Sequence, residues 1–448
     1  VEARVAQEQN PFDVPVLGEP TISAKTIPGL MKMGIDRFFV NDAERVPFHF
    51  SFLENESLNT AISFERAGAR RNLFFDPART KVGIVTCGGI CPGINDVVRA
   101  LVMELYHIYG VRNIFGFRYG YAGLNPQNGM YPQQLQPADV KEIHTRGGSV
   151  LGSSRGAVDP EIMVETLRRL QINILFTIGG DGTQKGAHAI YEAAKKKNYA
   201  LSVIGIPKTI DNDINYVFKT FGLDTAVEVA RNALDCAHTE ASGAPNGIGL
   251  VKVMGRDSGF IAALSALASL HVNYVLVPEI SFDLTGQGAF LPHLESRLLE
   301  RGYAVIVVAE GAGQQFFDDE FMDHQSKDKS GNVLHKDIGL FLKEQMSVYF
   351  QKREMEINIK YIDPSYTLRS IPANANDSIF ASELARNAVH AAMAGKTDII
   401  IGSWHSHYVH VPIPLAVAKR KKINPNGQLW LNVLQATGMP SDLQARHD

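Results

Sequence analysis

Short apolar runs that end in glycine- or acid-containing turns recur along this chain, with stretches of helical spacing between them. Ile174-Leu175-Phe176-Thr177-Ile178 leads into Gly179-Gly180-Asp181-Gly182-Thr183. Leu201-Ser202-Val203-Ile204-Gly205-Ile206 leads into Pro207-Lys208-Thr209-Ile210-Asp211-Asn212-Asp213. Between them Ala187, Ile190, Ala193 and Ala194 fall at helical spacing ahead of Lys195-Lys196-Lys197. The pattern predicts strand, helix, strand, and hence a parallel pair. Open parallel sheets bind ligands beyond the carboxyl ends of their strands, where both turns would sit.

The same signature extends in both directions. Val82–Thr86 reads as a buried strand, followed by the turn Cys87–Asn95 and a helix with Val97, Val98, Leu101, Val102 and Leu105 on one side. Asn113–Phe117 is a further apolar run. It leads to the aromatic turn 118–123 and then to the Gly/Ser/Arg loop Arg146–Gly156. A helix is predicted over Val227–Ala241. Four runs follow, Gly247–Val253, Val272–Val277, Tyr303–Ala309 and Ile357–Ile362, and a late strand over Asp398–Trp404. Alternation of this kind predicts a second α/β layer. Residues 314–336 are polar and read as a surface insertion. Residues 1–80 carry scattered prolines and no long periodic run. They read either as an arm lying over another surface or as a flexible tail, although Phe38, Phe39, Phe48, Phe50 and Phe52 favour burial.

Composition narrows the class. At 448 residues, 45% hydrophobic and 20% charged, the chain fits a globular enzyme of about two to three domains. A formal net charge of −3 argues against nucleic acid as a partner, and no run approaches the length of a membrane span. No secretory signal is visible after Val1, and three cysteines make no disulfide framework. Cys87 and Cys91 read as small packing residues beside their turn.

The turns carry the candidate chemistry. Strand, glycine turn and helix aim free backbone N–H groups at an anion, which makes the turn Cys87–Asn95, with Gly88 and Gly89, a candidate for phosphate binding; the alternative is a plain tight turn. Arg155 either forks onto a phosphate or is a solvated loop residue. Asp181, between glycines, suits a Mg²⁺ ion that takes one or two carboxylates; the alternative is an Asp that only stabilises the turn. Asp211 and Asp213, two apart, would share a face, one as base and its neighbour as orienter or metal partner, unless they merely cap the turn. Arg256 is a candidate for steadying a transferring phosphoryl group. His405, His407 and His410 resemble a zinc set without a completing ligand, and strand alternation accounts for them. Lys419-Arg420-Lys421-Lys422 reads as a solvated helix end rather than an import signal.

Taken in order, seven landmarks resemble the 6-phosphofructokinase family across residues 81 to about 410. They are Gly88-Gly89-x-x-Pro92-Gly93-x-Asn95, Leu151–Arg155, Gly179–Thr183, Pro207–Asp213, Met254-Gly255-Arg256, Glu310-Gly311 and Tyr366-x-x-Arg369. The resemblance implies two Rossmann-like three-layer α/β/α domains plus an N-terminal arm over 1–80. The nucleotide-binding domain would span 81–235, completed by about 370–395. The fructose-6-phosphate-binding domain would span 236–369 with about 396–425, and 426–448 would be a C-terminal extension. It implies Asp211 as base on the 1-hydroxyl of fructose 6-phosphate, with Thr209, Asp213 and Lys208 beside it. It further implies Asp181 as the Mg²⁺ carboxylate and Arg256 as the transition-state cation. Gly88, Gly89, Arg155, Gly180, Gly182, Thr183 and Gly186 would line ATP. Met254, Gly255, Glu310, Lys360, Tyr366 and Arg369 would hold the sugar phosphate.

Within the family the chain departs from the bacterial ATP enzymes. Tyr366 replaces a histidine, Lys360 stands where an arginine reaches across subunits, and Arg118 occupies the position of the aromatic expected against adenine. Gly182 leaves room for the α-phosphate of ATP, where pyrophosphate-dependent relatives have an Asp. Lys208, in contrast, is typical of the pyrophosphate enzymes. This mixed pair resembles the kinetoplastid and plant ATP enzymes, and the wording is closest to the glycosomal ones. A homotetramer, an AMP-type effector and a glycosomal compartment are what that resemblance implies. Gln444–Asp448 shows no Ser-Lys-Leu-type signal: either the signal has been removed, or the compartment is the cytoplasm.

Overall fold

The computed structural model describes residues 10–60, 62–317 and 335–446. They form two compact units, each assembled from three stretches of chain. The first comprises residues up to Thr209, Ile214–Phe221 and Pro372–Lys419. The second comprises Ile210–Asp213, Gly222–Ile371 and the residues from Arg420 onward.

The first unit is built on a sheet of nine strands among the described residues. In spatial order they are Arg45–Pro47, Ser63–Arg66, His407–Pro412, Ile399–Trp404, Ser202–Pro207, Ile174–Gly179, Lys81–Thr86, Asn113–Phe117 and Gln133–Gln134. The five from Ile399–Trp404 to Asn113–Phe117 are parallel. The remaining pairings are antiparallel. Every residue of Ile174–Gly179 and Ser202–Pro207 is buried, which is why these strands read as continuous apolar runs rather than alternating ones. Helix Ile94–Met103 crosses from Lys81–Thr86 one way along the sheet, and helix Asp181–Lys196 crosses from Ile174–Gly179 the other way. Right-handed crossovers therefore put them on opposite faces. The first packs with Ala375–Met393, the second with Pro160–Leu170. Pro160–Leu170 starts where Asp-Pro predicts: the Asp159 carboxylate accepts from the Glu161 N–H, with Pro160 in the first turn.

Among the described residues of the 1–80 segment, two strands lie against the first unit and join its sheet. Ser63–Arg66 pairs with His407–Pro412 and carries Arg45–Pro47 with it, so this segment extends the sheet of the first unit. Two features weld it. Phe48 stacks on Trp404 at 4.9 Å between ring centroids, with Phe64, Phe12 and Tyr216 packed edge-on around them. Buried Glu65 takes Arg70 at 3.0 Å, Lys396 at 2.9 Å and His410 Nδ1 at 3.0 Å. Burial would raise the Glu65 pKa, but His410 and Lys396 outweigh it and hold the carboxyl far below its usual range. Of the other phenylalanines, Phe38, Phe50 and Phe52 remain exposed.

The second unit holds a parallel sheet in the order Tyr274–Leu276, Tyr303–Ala309, Gly247–Val253, Asn358–Ile362. Helix Leu223–Ser242 packs against its strands and against Phe260–Ser269. That helix therefore belongs to the second unit, whereas the sequence reading carried the first domain on to 235. The helices Phe290–Arg301, Ile338–Gln351 and Gln428–Thr437 complete this layer. Most of the 314–336 stretch lies outside the described residues.

Candidate active site

In the first unit, the loops after the neighbouring parallel strands Lys81–Thr86, Ile174–Gly179 and Ser202–Pro207 are tied together and to the 152–154 loop by backbone and side-chain hydrogen bonds. The Gly88 N–H donates to the Ser154 carbonyl at 3.0 Å, and Ser153 Oγ donates to the Gly88 carbonyl at 2.5 Å. Thr86 Oγ1 donates to the Gly152 carbonyl at 2.5 Å. The Lys208 N–H donates to the Gly179 carbonyl at 3.0 Å, and its buried ammonium donates to the Gly89 carbonyl. These contacts bring together Gly88, Gly89, Lys208 and the Gly179–Thr183 turn. Arg155, next to Ser154, is exposed. Cys87 beside this loop is buried, and burial pushes its thiol up to about 12, so it stays protonated and serves packing.

Helix Asp181–Lys196 begins at the acidic turn, with Gly180 as its N-cap. The turn is pinned from below: Gln184 Nε2 donates to the Gly179 carbonyl at 2.9 Å and Tyr121 Oη to the Thr183 carbonyl at 2.6 Å. The Asp181 carboxylate, 14% exposed, sits 2.9 Å from the Lys185 ammonium one helical turn on. A Cβ added to Gly182 would meet nothing within 4 Å, so the helix start is open at that position. Gly186 differs, because its Cβ would press on the Tyr121 ring at 2.6 Å, and its absence serves helix packing.

In the second unit the acidic loop 211–213 is held by its backbone. Ser258 Oγ donates to the Asp211 carbonyl at 2.7 Å, and the Lys421 N–H donates to the Asp213 carbonyl at 2.9 Å. Asp213 is buried and Asp211 half-buried. Burial first, then the charges of Asp213 and Glu310, push the Asp211 carboxyl up to about 8, with Arg420 pulling the other way. Thr209, which accepts from Thr220 Oγ1 at 2.7 Å, closes the first unit immediately before this loop.

Beside it, the turns after two adjacent strands interlock. The Glu310 N–H donates to the Val253 carbonyl at 2.9 Å and the Gly311 N–H to the Gly255 carbonyl at 3.1 Å. Gly255 has φ +135°, and a Cβ on Gly311 would overlap the Arg256 carbonyl, so both positions need glycine. Burial raises the Glu310 pKa, opposed by Arg256, Lys252 and Arg369. Lys252 spans Asp337 at 2.6 Å and Asp363 at 2.9 Å. Tyr366 is 77% exposed, with the Arg369 guanidinium 5.2 Å from its ring centroid. Lys360 lies elsewhere, on the Asn358–Ile362 strand, 3.8 Å from Glu240.

Two sequence readings change. The basic run 419–422 is a solvated helix end only at Lys419 and Lys422, which are exposed: Arg420 bonds Asp213 at 3.0 Å and Asp257 at 2.6 Å. Burial lowers Lys421 to about 8 despite the pull of Asp213. The histidine set is scattered, because His405 occupies a positive-φ turn and His410 is buried on Glu65. Among the described residues no group of three metal-ligating side chains converges. Arg420, Asp257, Ser258 and Lys252 were the residues missed. The one available signal was four consecutive cations in a chain whose charges are otherwise mixed.

A mixed sheet and a parallel one, whose parallel strand ends carry a glycine-lined helix start in the first unit and a carboxylate–arginine cluster in the second, define a phosphoryl-transfer type of protein. The phosphofructokinase family profile matches residues 81–392, and the chain belongs to that family. It is 48% identical to the ATP-dependent 6-phosphofructokinase of Borreliella burgdorferi, covering 98% of this chain and 99% of that protein. It is 45% identical to the ATP-dependent 6-phosphofructokinase of Trypanosoma brucei brucei, covering 86% and 78%. With the chloroplastic ATP-dependent 6-phosphofructokinase 5 of Arabidopsis thaliana the identity is 44%, covering 84% and 69%. The kinetoplastid likeness drawn from the motifs thus stands level with bacterial and plant ones. A solved structure of a pyrophosphate-dependent phosphofructokinase from Nitrosospira multiformis superposes with a TM-score of 0.65 at 20% identity, over 83% of this chain and 94% of that one. This likeness carries the fold alone.

Proposed function

We propose that this protein transfers the γ-phosphoryl group of ATP to the 1-hydroxyl of fructose 6-phosphate, giving fructose 1,6-bisphosphate and ADP. The observation that carries the reading is Asp211. It is a half-buried carboxylate, backbone-anchored by Ser258, whose proton affinity is lifted towards neutral by burial and by the carboxylates around it. A general base works best with a pKa near the operating pH. Asp211 takes the proton of the 1-hydroxyl as its oxygen bonds to the γ-phosphorus, and the bond to the bridging oxygen breaks to release ADP. Asp213 and Thr209 flank the base, and Arg256 offsets the charge on the phosphoryl group in flight. Met254, Gly255, Glu310, Tyr366 and Arg369 hold the sugar phosphate, and Lys360 is assigned to it by resemblance.

Gly88, Gly89, Arg155, Gly180, Thr183 and Gly186 are assigned to the nucleotide, and Gly182 supports ATP because nothing fills the space at its α-carbon. Asp181 fits a Mg²⁺ ion that needs only one protein carboxylate, since it begins a helix with an open neighbour. When bound, that ion would neutralise phosphate oxygens. Lys208 supports the second reading, pyrophosphate as donor, because its ammonium reaches the Gly89 carbonyl beside the glycine loop. A homotetramer and an AMP-type effector extend the first reading, and light scattering with and without AMP tests both.

The deciding experiment is a coupled assay of fructose 1,6-bisphosphate formation with ATP or pyrophosphate as donor. Asp211→Ser is run alongside. The expected result is turnover with ATP that falls about 10²–10⁴-fold in the variant, with sugar-phosphate binding retained. Turnover with pyrophosphate alone, or an undiminished variant, overturns the reading.

A further inference from the structure

Lys419-Arg420-Lys421-Lys422 lies some two hundred residues from the acidic loop in sequence, yet Arg420 and Lys421 close the second unit's acidic cluster. Arg420 Nη1 stands 3.0 Å from Asp213 Oδ2 and 2.6 Å from Asp257 Oδ2, bridging two carboxylates with one nitrogen. The neighbouring Lys421 N–H fixes the Asp213 carbonyl at 2.9 Å. Two residues on, the Ile423 N–H donates to Glu279 Oε1 at 2.9 Å, and the same oxygen accepts the Gly259 N–H at 3.0 Å. The strap 420–423, the turn 257–259 and the loop 211–213 are thereby tied at four points, with Ser258 Oγ on the Asp211 carbonyl as the fourth.

We propose that Arg420 is the positioning residue of the phosphoacceptor base: by clamping Asp213 and Asp257 it fixes the loop that carries Asp211 and keeps that carboxylate available for the hydroxyl proton. The inference rests on the reading of Asp211 as the base. The physical case is one of charge. Asp211, Asp213, Asp257 and Glu310 place four carboxyl groups in mutual electrostatic reach, and Arg420 is the cation that offsets them at Asp211. Asp213 is only 8% exposed at its side chain, so removal of its guanidinium partner leaves a buried carboxylate with less compensating charge, Lys421 remaining beside it. A cluster in that state relieves repulsion by holding a proton, and a protonated Asp211 accepts none. Both contacts are made by Nη1, so a lysine at this position keeps the positive charge but not the placement of the planar guanidinium.

The test measures kcat and KM for both substrates in Arg420→Ala, Arg420→Lys and Asp211→Ser, each checked for folding by thermal melting. Arg420→Ala is expected to lose kcat on the order of 10²-fold with KM values changed less than about threefold, because an effect made only in the transition state leaves binding intact. Arg420→Lys is expected to fall between. Added guanidinium ion is expected to restore part of the Arg420→Ala turnover, and equimolar urea is not. An undiminished kcat in Arg420→Ala overturns the proposal. So does a loss confined to the fructose 6-phosphate KM, which would make Arg420 a substrate contact. If Arg420→Ala does not fold, Arg420→Lys decides: a reduced kcat supports the clamp and an undiminished one refutes it. If Asp211→Ser retains full turnover, the base assignment itself has failed. If Asp211→Ser is inactive while Arg420→Ala is not, only the clamp has.

Discussion

Gly182→Asp separates two properties that a substitution at an active site usually confounds. Position 182 is the second residue of helix Asp181–Lys196, and a new Cβ there meets nothing within 4 Å. The fold therefore has no steric reason to object. Loss of a helical glycine is worth roughly 0.5–1 kcal/mol, and a carboxylate in the first turn adds about 0.3–1 kcal/mol from the helix dipole. Repulsion from adjacent Asp181 takes back a similar amount. The melting temperature is expected to hold within a few degrees. For the nucleotide the sign is opposite: a carboxylate about 4 Å from a phosphate oxygen costs between about 1 kcal/mol at the dielectric of water and about 4 kcal/mol near a protein surface. Taking about 2 kcal/mol, kcat/KM for ATP falls roughly 30-fold. The assay is the coupled ATP assay with differential scanning fluorimetry on the same preparation. An unchanged kcat/KM for ATP would show that the nucleotide does not pass this helix start. A melting temperature lowered by ten degrees would show that the open space is not open in solution.

Two further outcomes follow from the titrating groups. With the Asp211 carboxyl raised to about 8 in the free protein, kcat/KM for fructose 6-phosphate is expected to climb about tenfold per pH unit below that value and level off above it. A profile flat from pH 5 to 9 refutes the assignment. Buried Glu104 is raised from 4.5 to about 7 by burial, which Arg386 only partly offsets. Its folded-state pKa lies above the unfolded one, so the folded chain holds the extra proton and stability is lost as pH rises from about 4.5 to about 7. Glu104→Gln removes that loss, so its gain over the parent is expected to be ~3 kcal/mol larger at pH 8 than at pH 4.5. Equal gains at both pH values in urea melts would contradict this.

The strands that read most clearly in the sequence were those buried on both faces. Gly247–Val253, Tyr303–Ala309 and Asn113–Phe117 form over the residues of their apolar runs, because a parallel strand needs no partner of matching pattern to look like one. Arg45–Pro47 and Ser63–Arg66 were missed for the opposite reason. They are three and four residues long, Arg45–Pro47 pairs with Ser63–Arg66, and the other partner of Ser63–Arg66, His407–Pro412, lies more than three hundred positions away. The acidic turns were legible as chemistry since glycine and aspartate have few other reasons to alternate at strand ends. What orients them was not. Arg420 acts through Asp213 and Asp257, and a run of four cations looks the same in solvent as in a cleft of carboxylates. His410 likewise reads only as one of a set of histidines alternating along a strand, and its partner is not visible until Glu65 is placed opposite it.

The strand order of the first unit also imposes a timetable on synthesis. Ser63–Arg66 leaves the ribosome early, but its neighbour His407–Pro412 comes after the whole Gly222–Ile371 stretch of the second unit has been made. Until then Glu65 has Arg70 within a few residues but neither Lys396 nor His410, and the strand edge facing them is bare. A nascent chain of this architecture carries an open, partly charged sheet edge through most of its elongation, a state that invites pairing with other chains. Closure of that seam joins residues 345 positions apart and has to wait for the synthesis of His407–Pro412. Truncations near the C-terminal side of Ala375–Met393 should therefore yield a chain that aggregates as it is made.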